Sequence, residues 1–299
     1  MKENETLRIL APAKVNFLLR VVGKRPDGYH DLISVMQALE VADELVLERR
    51  DRGISLLCGS ADVPQGHDNI IYRAAASYIK ETGVDGGVNI RLDKKVPVAA
   101  GLGGGSSDAA AVLRGMEVLY GALPRVRLME LALSLGADVP FFLSWPCARA
   151  EGVGERLTEL PSPDGVWLVL LNPGFAVSTR WVFENLKIEL TNNHNNTTLP
   201  PFEGRMPDAG FLVSLLHNDL ERVTAARYHE IDLMKDSLLG EGALGALMSG
   251  SGPTVFGIFE DAATAFGAAQ RLKRPGWTVI ATRTISSWPD LEVIKGLPV

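Results

Sequence analysis

Residues 97–111 read PVAAGLGGGSSDAAA, a glycine-rich stretch with two serines running into small residues, and no other segment narrows the possible folds as much. Glycine reaches positive φ and carries no Cβ, so the N–H groups of Gly101, Gly103, Gly104 and Gly105 can turn toward one anion. The helix that the alanines begin adds its positive N-terminal end at the same point. A single glycine is enough to cap a helix. Four of them beside two hydroxyls cost more backbone entropy than a cap requires, so the segment reads as a loop built around phosphate. It lacks the Lys-Ser/Thr ending of a Walker loop and the spacing of the dinucleotide fingerprint.

The 299-residue chain is 46% hydrophobic and 22% charged, an ordinary globular composition with room for two domains. Its net charge of −6 argues against nucleic acid as a partner, because such binding needs clustered cations to replace phosphate counterions. MKENETLRIL at the start has no apolar leader core, and no stretch reaches the length of a membrane span. The expected location is the cytoplasm, with no membrane association. Cys58 and Cys147 lie far apart without ligand spacing, which suits a reducing compartment. His67, His194, His217 and His229 also lack partners at ligand spacing, so no protein-built metal site is expected.

Two apolar runs, Leu7 to Leu10 and Ala13 to Val22, suggest strands interrupted by Pro12. Alternation in the second puts Val15, Phe17, Leu19 and Val21 on one face and Lys14 with Asn16 on the other. Glu44–Glu48, Gly53–Cys58 and Val88–Leu92 read as further strands, and 68–82 as a helix. Helices are expected from Ser106 to near Gly121 and from Leu128 to a close at Gly136. PSPDG at 161–165 is the best candidate for a domain boundary. After it come a strand at Leu168–Leu171, a polar stretch at 192–201 that reads as a mobile surface loop, and MSGSGPTVFGIF at 248–259, a second glycine-rich turn leading into a strand. A helix at 262–272 and a strand at 278–284 complete the pattern.

APAKVNFLLRVVGKRPDGYHDL at 11–32, the glycine loop and MSGSGPTVFGIF together resemble the GHMP kinases. The pairing of GKRPDGYHDL with GLGGGSSDAA, plus LGADVPFFL at 135–143 and AEGVGE at 150–155, narrows the resemblance to the branch whose acceptor is a methylerythritol linked to cytidine diphosphate. It implies an α+β, two-domain GHMP kinase fold with the active-site cleft between the domains. Residues 1–160 would form the N-terminal, ATP-binding and catalytic domain, and 161–299 a C-terminal domain contributing to substrate binding. ATP would be the phosphoryl donor, with Mg²⁺ carried by it. The acceptor would be a small molecule bearing cytidine diphosphate, phosphorylated on its 2-hydroxyl, and the enzyme a monomer or homodimer. The rivals are a related kinase acting on homoserine, a mevalonate-type acid or a sugar, and an inactive sensor of ATP and a metabolite.

The resemblance carries over to particular residues. Lys14 is by composition an exposed strand lysine, yet the matching lysine stands in the active site, where it would stabilise a carboxylate and the migrating phosphoryl group. Asp138 could cap the helix begun by Val139-Pro140, or be the catalytic aspartate that orients the hydroxyl and takes its proton. Tyr29 and His30 could close a turn after Pro26-Asp27-Gly28, with the ring half buried; in the family they bind the cytidine, with Asn16 also toward the substrate. Phe183 is either core or a stacking residue. The implied ATP site is Asn69 with the run Pro97, Val98, Ala99, Ala100, Gly101, Leu102, Gly103, Gly104, Gly105, Ser106, Ser107 and Asp108. Asn69 could equally start a helix. Ser106 and Ser107 are caps or ligands to phosphate and Mg²⁺, and Asp108 is a first-turn carboxylate suited to the helix dipole. Gly250 and Gly252 are expected to support the phosphate loop.

Overall fold

The computed structural model describes residues 5–59, 63–64, 66–187 and 207–295; the polar stretch at 192–201 and His194 lie outside them. The spine of the first sheet is a pair of long antiparallel strands, β1 (Glu5–Lys24) and β2 (His30–Arg50). β1 runs straight through Pro12, contrary to the expected break. Pro12 faces Ala42 at the edge of a register shift that next pairs Lys14 with Ala38, and an irregularity in the ladder is where a strand can spare one N–H. β2 is far longer than Glu44–Glu48 because Ile33 to Leu39 is buried without interruption, which erases the alternation a half-exposed strand displays.

The rest of this half comprises β3 (Gly53–Cys58), α1 (Ile70–Thr82), β4 (Gly87–Asp93), α2 (Gly104–Tyr120), α3 (Arg125–Leu135), α4 (Val139–Phe142), β5 (Cys147–Gly152) and β6 (Arg156–Glu159). β4 pairs with the end of β2 at 44–50, whereas β5 pairs with its beginning at 32–37. The sheet therefore parts between them, and the loop leaving β4 emerges beside that gap. α2 packs on β1 and β2 through Ala109, Val112 and Met116 against Ile9 and Leu47, each fully buried aliphatic contributing about 1.5–3 kcal/mol.

A second sheet begins with β7 (Trp167–Asn172). There follow α5 (Thr179–Asn185), α6 (Ala209–Leu215), β8 (His217–Asn218), α7 (Glu221–Arg227), α8 (Glu230–Gly240), β9 (Gly245–Met248), β10 (Val255–Phe259), α9 (Ala262–Arg271), β11 (Thr278–Arg283) and β12 (Glu292–Lys295). Its strands lie in the order β11-β7-β10-β9, all antiparallel. Leu168 and Leu170 of β7 join a core shared with Phe17 and Val35 of the first sheet, while Val169 and Leu171 face a core containing Met234 of α8 and Ala268 of α9. A strand covered on both faces must be apolar throughout, as this one is. The halves are also tied by pairing, since β8 and β12 both hydrogen-bond to β1.

Candidate active site

A cleft of about 1250 Å³ is lined from both halves of the molecule. The glycine loop forms one end. α2 starts at Gly104, ahead of the expected Ser106, with Gly103 as its N-terminal cap residue at φ +70° and no side chain capping it. Ser106 and Ser107 are therefore not caps. Ser106 reaches the cleft, whereas Ser107 is buried and the Leu102 side chain joins the shared core. Pro97 to Gly101 and Gly103 to Ser106 do line the cleft. Gly101 has φ +77°, and a Cβ there would stand 2.2 Å from the Ser249 carbonyl oxygen. On Gly103 it would meet the Phe142 ring at 2.9 Å and the Lys14 stem at 3.0 Å. Ala99 takes φ +51° without being glycine, at a cost of about 1–2 kcal/mol.

Lys14 and Asp138 meet beside this loop. The Lys14 side chain is 5% exposed; its Nζ donates to Asn16 Oδ1 at 2.7 Å and to the Gly101 carbonyl at 3.0 Å, and lies 3.6 Å from Asp138 Oδ2. Asn16 Nδ2 in turn donates to Ser34 Oγ at 2.8 Å, and Ser34 to the Leu18 carbonyl at 2.7 Å. The alternation read from sequence thus aims Lys14 and Asn16 together into the cleft. Asp138 precedes α4 but makes no capping hydrogen bond, and its side chain is 39% exposed. A carboxylate steadied by an ammonium and otherwise uncommitted can orient a hydroxyl and accept its proton.

The opposite end is aromatic. Arg25 to Tyr29 makes the turn joining β1 to β2, with the Tyr29 N–H donating to Asp27 Oδ1 at 3.0 Å. Tyr29 is 65% exposed, more open than the half-buried ring a simple turn suggests. His30 is buried and stacks on Phe183 of α5, ring centroids 5.1 Å apart and planes at 24°. Burial, helped by Lys24, holds the His30 imidazole below its usual pKa, so it stays neutral and can both donate and accept. Trp181, on the same helix, faces Arg227 instead. Asn69 lines the cleft too, but its side chain caps α1, accepting from the Ile71 N–H at 2.8 Å and donating to the Pro64 carbonyl at 2.8 Å.

Residues 69–144 match the N-terminal domain of the GHMP kinases and 201–276 their C-terminal domain. A relative from Geobacter sp. (strain M21), described as 4-diphosphocytidyl-2-C-methyl-D-erythritol kinase, is 48% identical over 93% of this chain and 99% of its own. This chain is a GHMP kinase. Among solved structures, a 4-(cytidine 5'-diphospho)-2C-methyl-D-erythritol kinase superposes with a TM-score of 0.79 at 37% identity, covering 94% of this chain and 100% of that one. Homoserine kinase from Cytophaga hutchinsonii gives 0.75 at 20% identity over 98% of each chain, a likeness of fold.

As in any kinase of this kind, ATP is the phosphoryl donor, and the glycine loop is supported from two sides. The 248–253 turn abuts it directly: Ser249 Oγ donates to the Gly101 carbonyl at 3.0 Å, and the Thr254 N–H to the Ala100 carbonyl at 3.3 Å. A Cβ on Gly250 would lie 3.5 Å from Lys14 Nζ, and one on Gly252 2.5 Å from Met248 Sδ. Asn218 holds that turn by donating to the Met248 and Gly250 carbonyls at 2.8 and 2.7 Å. The other support escaped the sequence reading. Asp108 lies in the second turn of α2, beyond the first turn where it was expected, and ion-pairs with Lys94, which also binds Asp43. Burial, eased only in part by Lys94, pushes Asp108 up to about 7. Lys94 is itself held above its usual range, because Asp108 and Asp43 outweigh the effect of its own burial. The local hint was a lysine three residues ahead of the glycine-rich segment. Among the described residues, no group of three His, Cys, Asp or Glu could hold a metal ion, and no helix is long and apolar enough to cross a membrane.

Proposed function

We propose that this kinase transfers the γ-phosphoryl group of ATP to the 2-hydroxyl of 4-diphosphocytidyl-2-C-methyl-D-erythritol, giving the 2-phosphate and ADP in the non-mevalonate route to isoprenoid precursors. The observation that carries it is one cleft with the Lys14–Asp138 pair between a phosphate loop and an aromatic wall. The names of the similar kinases supply the acceptor. An acceptor without a nucleobase would leave Tyr29, His30 and Phe183 without purpose, which disfavours homoserine, mevalonate-type or sugar substrates.

In this reading the nucleotide phosphates rest on the loop N–H groups and the positive end of α2, while Asn69 shapes the base pocket through its cap of α1. The cytosine stacks against Tyr29 and Phe183, with the neutral His30 on its edge. Held at both ends, the acceptor presents its hydroxyl to Asp138, so much of the barrier is met by alignment. Lys14 steadies that carboxylate and the charge on the transferring group. Asn16 fixes Lys14 and faces the acceptor. Mg²⁺ suits a site with few protein donors, since it is usually held by one or two side chains, water and substrate phosphates; Ser106 would hold it, and it would neutralise phosphate charge. The two domains divide near 160.

The test is ADP release with phosphorus NMR, offering the cytidine diphosphate acceptor, homoserine, mevalonate and galactose separately with Mg·ATP. A new phosphomonoester with the first alone is expected. Equal or faster turnover of any other acceptor would sink the assignment.

A further inference from the structure

The helix that carries Phe183 has little to hold it in place by itself. α5 is seven residues long, and an isolated helix shorter than about 12–15 residues is marginal in water. Ser178 caps its start and Val182 is its one buried side chain, while the Arg180–Glu184 pair lies in solvent, where such pairs contribute little. Even so, the Phe183 ring keeps a defined stack on His30. Contacts from outside the helix must set where that ring lies.

α7 supplies them. The Arg227 guanidinium lies 4.5 Å from the centre of the Trp181 ring and 5.3 Å from that of Tyr228. Tyr228 stacks on Phe175, in the run leading into α5, with centroids 4.8 Å apart and planes at 27°. Just past the other end of α5, the Lys187 carbonyl accepts from Arg222 Nη2. α7 is in turn fixed: Thr224 is fully buried and its Oγ1 donates to the Ser251 carbonyl at 3.2 Å, while Glu221 accepts the Met248 N–H at 2.8 Å and ion-pairs with Lys235 of α8. Met248 and Ser251 belong to the turn that abuts the glycine loop. One short helix therefore grips α5 on one side and that turn on the other, through side chains that lie outside the cleft lining.

We infer that Arg222 and Arg227 are positioning residues: by clamping α5 to α7 they hold the Phe183 ring against His30, and so set the affinity for the acceptor without touching it. A guanidinium suits both contacts, since its plane lies over an indole and its N–H groups reach a carbonyl. The clamp itself rests on geometry alone; its effect on affinity rests on the proposed cytidine diphosphate acceptor.

Both arginines are exposed, so a double variant, Arg222→Ala with Arg227→Ala, should fold. Proton NMR of the His30 ring without substrate is the first measurement, with Phe183→Ala marking the signal that the ring current of Phe183 no longer shifts. The double variant is expected to move the His30 signal about half of that way or more. In turnover with Mg·ATP, its KM for the acceptor should rise about three- to tenfold, with kcat and the KM for ATP within about a factor of two. Placed in the Phe183→Ala background, the same two changes should alter the acceptor KM by less than about twofold, because residues acting through one group are not additive. A native-like His30 signal, an acceptor KM effect that persists undiminished without Phe183, or an equal rise in the KM for ATP would overturn the inference. Should the cytidine diphosphate acceptor not react at all, the acceptor assignment fails and the His30 signal still decides the clamp.

Discussion

The molecule holds two lysine–aspartate clusters against the same loop, and they are built oppositely. Lys14 and Asp138 stand 3.6 Å apart, with Asp138 39% exposed and free of any capping bond. Lys94 is sealed between Asp43 and Asp108, and Asp43 spends its remaining oxygen on two backbone donors. A carboxylate committed to fixed partners gains order and loses reactivity; one left loose beside an ammonium keeps both lone pairs for a substrate. The same residue types are thus held in two ways, one fixed and one loose, at separate places joined by the glycine loop.

The contrast can be broken most decisively at its reactive end. Asp138→Asn is expected to lower kcat by about 10²–10⁴-fold, the range for loss of a positioned base, while Mg·ATP binding by titration stays within a factor of three or so; near-native turnover would remove Asp138 from the chemistry. Lys14→Met comes next, with an expected kcat loss of about 10²–10³-fold in the same assay, comparable to deleting one preorganised charge donor. If it instead raised only the KM for ATP, the loose cluster would serve nucleotide binding rather than the transfer step. Phe183→Ala removes a stacking face worth about 1–3 kcal/mol, so the acceptor KM should rise roughly tenfold with kcat and the KM for ATP little changed.

The sealed cluster predicts a subtler effect on stability. Asp108 carries a raised pKa in the fold, so the folded state favours its protonated form. That preference stabilises fully below the unfolded value near 4 and is lost as pH climbs through about 7. Melting temperature should therefore fall over this interval in the native chain by on the order of a few degrees more than in Asp108→Asn, a difference calorimetry at several pH values would reveal. Smallest of all, Ala99→Gly relieves a positive φ but frees the unfolded chain, and the two nearly cancel to within about 1 kcal/mol; a large loss of ATP binding would mean that the Ala99 methyl itself touches nucleotide.

What the sequence disclosed follows the range of the interactions. Helix ends at Gly121 and Gly136 and the pairing of Lys14 with Asn16 on one face were legible, because caps and alternation act over a few residues. The true lengths of β1 and β2 were not, since a proline at a register shift imitates a break and a doubly buried strand loses its period. The Asp43–Lys94–Asp108 cluster spans 51 and 14 residues, with nothing local to mark Asp43 as different from any strand-end acid. Leu102 shows the converse: it belongs to the glycine motif by position and to the core by packing.

The outer edge of β1 is covered by β12 near one end and β8 near the other, both supplied by the opposite half of the chain. A polypeptide emerging from the ribosome holds that edge open, with its unpaired backbone groups exposed to neighbours, until residues near 295 have been made. Lys14 thus sits on a strand whose outer edge is completed only by segments made much later, and nascent chains stalled before 285 should neither bind ATP tightly nor resist proteolysis; if they do both, the first half is a self-sufficient folding unit.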